Sequence, residues 1–563
     1  MSPVSNRVLA IGFKTHKNAA KMIRTTFSGS ADIRFVFQPL ELGEICACDA
    51  IILGEDFSFD SESDFEVIRQ AVQKGTNLII LGIPEAGLTH NWQELAGATP
   101  LNSKPEGEWF LKIQGSSLLT QRLPMEFAAV GTLTPLKLHD GSEPILSATV
   151  AFSDQIAAAI KRFPDSTICT IGFRPTSSHS SAHLMAVIRR SATTVTRRSD
   201  WKASAPLGVG IIGYGAGGGM GNYHSRAVSE VAGLDLVAVA DSDPQRRAAA
   251  EAEFPNVHTY RTTEDLAQDS RVGIVIIATP PVSHTGIALA MLDAGKHVIA
   301  EKPMCLTSKD AQQLIAKAKA VDRMLSVNQN RRWDRDFRAI AQAVADGKIG
   351  ELFNIETFVG GFEHPCRAWH SEESVSGGAV FDWGSHHIDW IIQLYGSAPV
   401  KVSATQHKRV WHDVTNVDQV RVHMIWEDGR EAEFFQSDIA AIRKPKYFIQ
   451  GSFGTIIGNY RPIIEEKVSL PLGYQEHEYH HAEAPATMKL SRYESECGLI
   501  EESLPLAKPQ QFAFHNNVAN HLLLGEPLAV KPESAAEVIA VLEAAQLSST
   551  TNSEYVPLSE VSC

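Results

Sequence analysis

A short apolar run at residues 209–213 passes directly into Gly213-Tyr-Gly215-Ala-Gly-Gly218. The spacing is G-x-G-x-x-G, placed where a strand hands over to a helix. The first glycine permits a tight turn and the second lets backbone approach a pyrophosphate. The helix that follows offers N–H donors and positive partial charge. Such a turn belongs to a doubly wound parallel sheet. Further apolar runs at 234–240, 272–278 and 297–300, separated by helical stretches such as 244–254 and 283–294, supply the rest of that sheet. The second strand ends in Asp241, 28 residues after Gly213, where a carboxylate can accept from adenosine ribose hydroxyls. A carboxylate there repels the 2′-phosphate of NADP. NAD is the expected cofactor, with NADP the alternative, and Gly213, Tyr214, Gly215, Gly218 and Asp241 are expected contacts.

A chain of 563 residues is too long for one core. Upstream of the glycine turn, 8–12, 50–53 and 77–82 read as short buried strands. Helices are expected at 17–27 and 63–74, the latter with Phe65, Ile68, Ala71 and Val72 on one face and Gly75 as its stop. This alternation predicts a flavodoxin-like α/β domain with a parallel sheet over 1–195. A polar linker follows at 196–206, and the dinucleotide-binding Rossmann domain occupies 207–330. From 331 the texture changes. After a helix at 335–346, long strands at 351–359, 400–406, 418–426 and 431–438 run without intervening helices, and a late helix is expected at 534–545. That pattern predicts a C-terminal α+β domain, 331–563, with a large, mostly antiparallel sheet.

The net charge is −14, and the first 200 residues, with 19 Lys+Arg and 20 Asp+Glu, hold almost none of it. The acidic remainder argues against nucleic acid as a partner, because phosphate binding relies on clustered cations. No apolar run reaches the ~18 residues needed to span a bilayer, and no signal peptide is read at the N-terminus, so a cytoplasmic protein is expected. Seven scattered cysteines without a CxxC pair read as reduced thiols, and no metal site is expected.

Three ordered motifs extend the glycine turn. They are Ala278-Thr-Pro-Pro-Val-Ser-His284, Ala294-Gly-Lys-His-Val-Ile-Ala-Glu301-Lys302-Pro303, and Gly377-Gly-Ala-Val-Phe-Asp382-Trp-Gly-Ser-His386-His-Ile-Asp389. Together they resemble the Gfo/Idh/MocA oxidoreductases. The resemblance runs from about 207 to the C-terminus and implies that Thr279, Pro280, His284, Glu301 and Lys302 also lie at the cofactor. It further implies an unusual peptide before Pro303. One departure is that His224 lies eleven residues after Gly213, where the family places a histidine at about eight. The turn is lengthened, so Gly218 and Gly221 both remain candidates for the pyrophosphate.

Lys302 follows a strand at the sheet's C-terminal edge, where ligands bind in such folds, and can donate to a substrate oxygen. The alternative is an ion pair with Glu301. Asp382 and His386 are four apart in a helical segment and share a face, with Asp389 nearby and His387 pointing elsewhere. An imidazole beside a carboxylate can take a hydroxyl proton near neutral pH, with Asp382 orienting His386 or a neighbouring hydroxyl. Arg332 matches a family arginine, and with Asp389 it is a further candidate for contact with substrate. Arg367, Trp369 and His370 precede the Asp/His helix and can line a substrate pocket suited to a sugar. The expected activity is hydride transfer between nicotinamide and a secondary alcohol of a sugar, polyol or glycoside. Two alternatives stay open: a glycoside hydrolase or epimerase that oxidises transiently, and a sensor that binds NAD and does no chemistry.

In the N-terminal segment the strand order, Gly82-Ile-Pro-Glu-Ala-Gly87 and Trp92-Gln-Glu-Leu-Ala-Gly97 resemble the ThuA-like and class I glutamine-amidotransferase-like fold. Amidotransferases present a cysteine in that turn; here Ile83, Pro84 and Glu85 stand there, and none can act as a thiolate. A scaffold, an oligomerisation surface or a sugar-handling module is expected, without amidotransferase activity. His90 lacks a recognisable partner. A homodimer or homotetramer built on the C-terminal sheet is expected.

Overall fold

The computed structural model describes residues 6–13, 23, 31–36, 48–54, 56–83, 87–115, 119–120, 123–164, 166–176, 181–193, 206–215, 219–366, 368–460 and 485–561. The helix expected at 17–27 apart from Ile23, the turn residues 84–86, the linker up to 205, Gly218 and Arg367 lie outside the described residues. The chain divides into two compact units, Met1–Ser204 with Asn520–Pro527, and Ala205–Ala519 with Leu528–Cys563.

The first unit is built on one twelve-stranded sheet. Its parallel half contains Asn6–Ile11, Ala31–Val36, Ala50–Leu53, Asn77–Leu81 and Thr167–Ile171. The strands 50–53, 77–81 and 167–171 are buried at every residue, which is why they read as unbroken apolar runs. Alternate residues feed opposite layers: Val8, Ala10, Ile52 and Ile79 pack into one core, Leu9, Ile51, Leu53 and Ile80 into the other. Helix Glu62–Gln73 starts where Ser61 Oγ accepts from the Asp64 N–H, and buries Ile68, Ala71 and Val72. The other half of the sheet is antiparallel, and this corrects the expectation of a purely parallel sheet. Strands Gly107–Ile113, Glu126–Leu133, Ser142–Val150 and Ser153–Arg162 pair as antiparallel neighbours. No helical period separates them, and a tight turn through Ala151 and Phe152, both at positive φ, joins the last two.

In the second unit, residues 207–327 form a six-stranded parallel sheet. Its order is His258–Tyr260, Leu234–Ala240, Leu207–Ile212, Ile274–Ile277, His297–Ala300, Leu325–Val327. In chain order this is 3-2-1-4-5-6, the doubly wound arrangement whose switch point lies between the first and fourth strands. The remainder carries a nine-stranded sheet in which Leu352–Gly360 and Glu431–Ser437 are the parallel pair and all other neighbours are antiparallel. Helix Ala379–Tyr395 lies on this sheet, packed against Glu431–Ser437 and helix Pro532–Thr550. Gly384 makes the approach close: a Cβ there would stand 3.0 Å from Leu542 and 3.2 Å from Phe434. Among the described residues no helix is long and apolar enough to cross a membrane.

Candidate active site

Strand Leu207–Ile212 delivers Gly213 and Gly215 at φ +87° and +67°, a region closed to most side chains. A Cβ on Gly213 would stand 2.9 Å from Thr279, two residues past strand Ile274–Ile277 across the switch point. Helix Met220–Glu230 begins after Gly219. On that helix Gly221 meets the turn so tightly that a Cβ would fall 2.0 Å from the Gly213 carbonyl oxygen. Gly221 therefore packs the helix closely against the turn. The Tyr214 side chain is buried and its N–H donates to Asp241 Oδ2 at 3.0 Å, while the Asp243 N–H donates to Asp241 Oδ1 at 2.9 Å. Asp241 is thus held rigidly beside the turn. This cradle, closed to Cβ atoms and edged by a fixed carboxylate, fits a dinucleotide. Gly221→Ala is expected to weaken NAD binding about tenfold or more, since overpacking of this kind typically costs ~1–3 kcal/mol; isothermal titration with NAD checks it.

The turn after the fourth strand is tied to the turn after the fifth by His284. Its ring is buried, with Nε2 2.8 Å from the Thr279 carbonyl and Nδ1 2.9 Å from the Pro303 carbonyl. His284 thereby holds Thr279 and Pro280 against the segment that carries Lys302, its N–H donating to one of these two carbonyls according to tautomer. The Lys302–Pro303 peptide is cis.

Glu301 does not pair with the Lys302 ammonium. Its carboxylate accepts from His224 Nε2 at 2.7 Å, Asn328 Nδ2 at 2.7 Å and the Lys302 N–H at 3.0 Å. Burial works to raise this carboxyl, but His224 and Asn328 outweigh it and hold it below its ordinary value. His224 Nδ1 lies 2.8 Å from Nε2 of the buried His515. The lengthened loop thus brings His224 to a buried chain of polar groups behind Lys302.

Lys302 reaches across 80 positions instead. Its Nζ donates to Asp382 Oδ1 at 2.6 Å and to the Asp382 carbonyl at 3.2 Å. Asp382 stands in the first turn of helix Ala379–Tyr395, which starts immediately after Gly377 and Gly378. Burial would raise the Asp382 carboxyl, yet Lys302 outweighs it and keeps the group ionised below the usual range. The orienting role expected of Asp382 toward His386 is corrected here: the carboxylate bonds Lys302 and not the imidazole. One turn further, His386 is buried with Nδ1 unbonded. Burial first, then the charges of Lys302 and Arg331, push its pKa well below 6.5, so the ring is neutral at pH 7.

Asp382 opens on a cleft that it lines with Glu363, His370, Asn416, Gln436 and Asp438. His370 stacks on Trp369 with ring centroids 3.7 Å apart. Arg332 and Asp389 are not among the lining residues. They form a two-pronged ion pair with each other at 2.8 and 2.6 Å. Neighbouring Arg331, which the motifs did not single out, lies over the Trp383 ring at 4.8 Å. Asn416, Gln436 and Asp438 were also missed. Gln436 and Asp438 stand together at the end of strand Glu431–Ser437 and Asn416 in the loop before strand Gln419–Ile425, and no local spacing links them to Asp382. Among the described residues there is no cluster of ligands for a metal ion.

The site is set among neutral buried imidazoles, and this gives a pH signature. His386, His387 and His515 all have pKa values depressed by burial. In the unfolded chain they titrate near 6.5. Between that value and their lower folded values the unfolded chain binds more protons, so stability falls as pH drops below about 6.5. Thermal melts at pH 7.5 and 5.5 are expected to show the lower midpoint at 5.5. His387→Leu, placed between the Trp390 and Phe434 rings, is expected to shrink that difference.

Residues 207–329 match the family model of oxidoreductases with an NAD-binding Rossmann fold, and residues 337–457 match that of the GFO/IDH/MocA C-terminal domain. The inositol 2-dehydrogenase of Rhizobium meliloti (strain 1021) is 30% identical over 260 residues, covering 45% of this chain and 76% of that protein. The scyllo-inositol 2-dehydrogenase (NADP(+)) of Bacillus subtilis (strain 168) is 27% identical over 345 residues, covering 61% and 93%. A crystal structure of an NAD-binding protein from Listeria innocua matches with a TM-score of 0.53 at 29% identity, covering 62% of this chain and 96% of that one.

Proposed function

The chain belongs to the Gfo/Idh/MocA family of NAD-binding oxidoreductases, and from that premise we propose that it oxidises a secondary alcohol on a sugar, polyol or glycoside. The observation that carries this reading is the 2.6 Å contact between Lys302, just past strand His297–Ala300, and Asp382, which lines the cleft. Gly213, Gly215, Gly221 and Asp241, with Thr279 and Pro280, would hold the dinucleotide. When bound, its nicotinamide supplies the two-electron acceptor. Lys302 Nζ donates to the alcohol oxygen and stabilises negative charge as it develops there. Neutral His386 takes the hydroxyl proton. Asp382 holds the ammonium in place through Oδ1.

The relatives named as inositol dehydrogenases support a polyhydroxylated substrate. The test is native mass spectrometry of the purified protein for bound dinucleotide, followed by a spectrophotometric screen of inositols, hexoses and anhydrohexitols. Steady accumulation of NADH or NADPH with one of them is the expected result. Tightly held cofactor with product formed and no net reduction would instead assign transient oxidation.

Exposed Phe353, Phe453, Tyr493 and Leu499 along the nine-stranded sheet, with Tyr493 directly opposite Leu499 in register, support self-association through that sheet. For the N-terminal unit the reading is a ThuA-like module without amidotransferase chemistry. The buried Ile83 immediately after Gly82 supports it, because no nucleophile stands there.

A further inference from the structure

The wall of the cleft beyond Asp382 carries buried oxygens with nothing to accept, beside a Gln436 amide that no hydrogen bond orients among the described residues. Asn416 and Gln436 are each only 7% exposed, and Asn416 Oδ1 and Gln436 Oε1 have no hydrogen-bond partner. The Asn416 amide is oriented by its Nδ2, which donates to the His370 carbonyl at 2.7 Å. Its oxygen is therefore the free atom.

Asp438 follows strand Glu431–Ser437 and has a fixed base. Its N–H donates to the Asp418 carbonyl at 2.8 Å, and its own carbonyl accepts from the Glu363 N–H at 3.2 Å and from Trp411 Nε1 at 3.1 Å. Among the described residues its carboxylate has no hydrogen-bond or ion-pair partner. Burial, with Asp382, Asp418 and Glu363 nearby and only Lys408 in opposition, lifts this carboxyl to about 7. Of the three carboxylates among the described residues lining the cleft, Asp382 is paired with Lys302 and Glu363 with Arg443, which leaves Asp438 without a paired cation.

Buried acceptors left without donors are unfavourable, and several on one wall call for a ligand that brings donors. Hydroxyl groups do so. A phosphate or carboxylate would instead set acceptors against acceptors and like charge against Asp438. We propose that Asn416, Gln436 and Asp438 form a hydroxyl-reading subsite that selects an uncharged ring with several free hydroxyls over its phosphorylated or carboxylated counterparts. Asp438 is its specificity-determining residue. The inference rests on the reading above in that this cleft receives the substrate.

The test is equilibrium binding to the full chain loaded with NAD. The probes are myo-inositol, D-glucose and 1,5-anhydro-D-glucitol, against myo-inositol 1-phosphate, D-glucose 6-phosphate and D-glucuronate. At least one neutral probe should bind, and its charged counterpart should bind tenfold or more weakly. Asp438→Asn, close in shape and free of charge, should weaken the neutral probe about tenfold and narrow the gap to the charged one. NAD affinity unchanged in that variant would show that the fold is kept. Asn416→Ala should weaken the neutral probe in the same direction.

Binding of a charged probe as tight as its neutral counterpart, binding of no neutral probe, or Asp438→Asn within twofold of the parent would each overturn the proposal. Failure of the oxidoreductase reading looks different: neutral probes would bind with the expected selectivity while none reduced the dinucleotide.

Discussion

Replacing Lys302 by methionine is expected to lower turnover about 10²–10³-fold while leaving NAD affinity within a few-fold. That range is what removal of one donor aimed at a developing oxyanion typically costs. Methionine keeps the length and the apolar stem and removes only the ammonium. With the ammonium go its 2.6 Å bond to Asp382 Oδ1 and its 3.2 Å bond to the Asp382 carbonyl. A merely structural lysine would show its loss in stability. A reacting one should also move the pH profile, because Lys302 is among the charges that hold His386 neutral. Without it the imidazole binds a proton more readily, and the acid limb of the kcat/KM profile should shift to higher pH. Lys302→Arg keeps the charge in a planar fork and is not expected to restore turnover. A methionine variant that turns over within a few-fold of the parent, with an unmoved profile, would remove Lys302 from the mechanism.

What could be read from the sequence was whatever is encoded over a few consecutive residues. The glycine turn, Asp241 at the second strand end and the helix holding Asp382 and His386 each rest on local spacing, and local spacing fixes which side chains share a face. It does not fix which partner lies across from that face. Asp382 and His386 share a helical face, but the carboxylate found an ammonium from another domain, 80 positions away. Glu301 sits next to Lys302 in sequence and is committed to His224 and Asn328. The later glycine was ambiguous because the loop's extra residues blur the motif count. The close packing of Gly221 on the Gly213 carbonyl is a backbone contact only the folded turn creates. The antiparallel half of the first sheet went unread for a related reason. Strand Glu126–Leu133 alternates burial residue by residue, but in isolation its partners are unspecified. The acceptor wall is the extreme case: Asn416, Gln436 and Asp438 become one surface only when the nine-stranded sheet has formed.

Arg332→Ala is expected to destabilise the protein by about 3–5 kcal/mol, the usual result of removing one partner from a buried ion pair. The guanidinium meets both oxygens of Asp389 at 2.6–2.8 Å, and also donates to the Ala529 carbonyl at 2.8 Å and to Ser534 Oγ at 3.1 Å. Side chains of both partners are almost sealed, at 9% and 2% exposure. Burial alone raises the Asp389 carboxyl, and Arg332 only partly offsets it. Truncation therefore strands a carboxylate with neither water nor cation, and the alanine also leaves a void. In a unit of this size the melting midpoint should fall by on the order of 10 °C. Arg332→Met with Asp389→Leu should recover much of the loss, because an apolar pair of similar volume avoids desolvating both charges. The same series separates the structural role from the substrate-binding one suggested by the sequence. If Arg332 held substrate, Arg332→Lys would raise KM at an unchanged melting point. If it ties residues 529–534 to helix Ala379–Tyr395, the lysine, unable to form the fork, should lower the melting point and leave KM of the surviving folded protein close to the parent value.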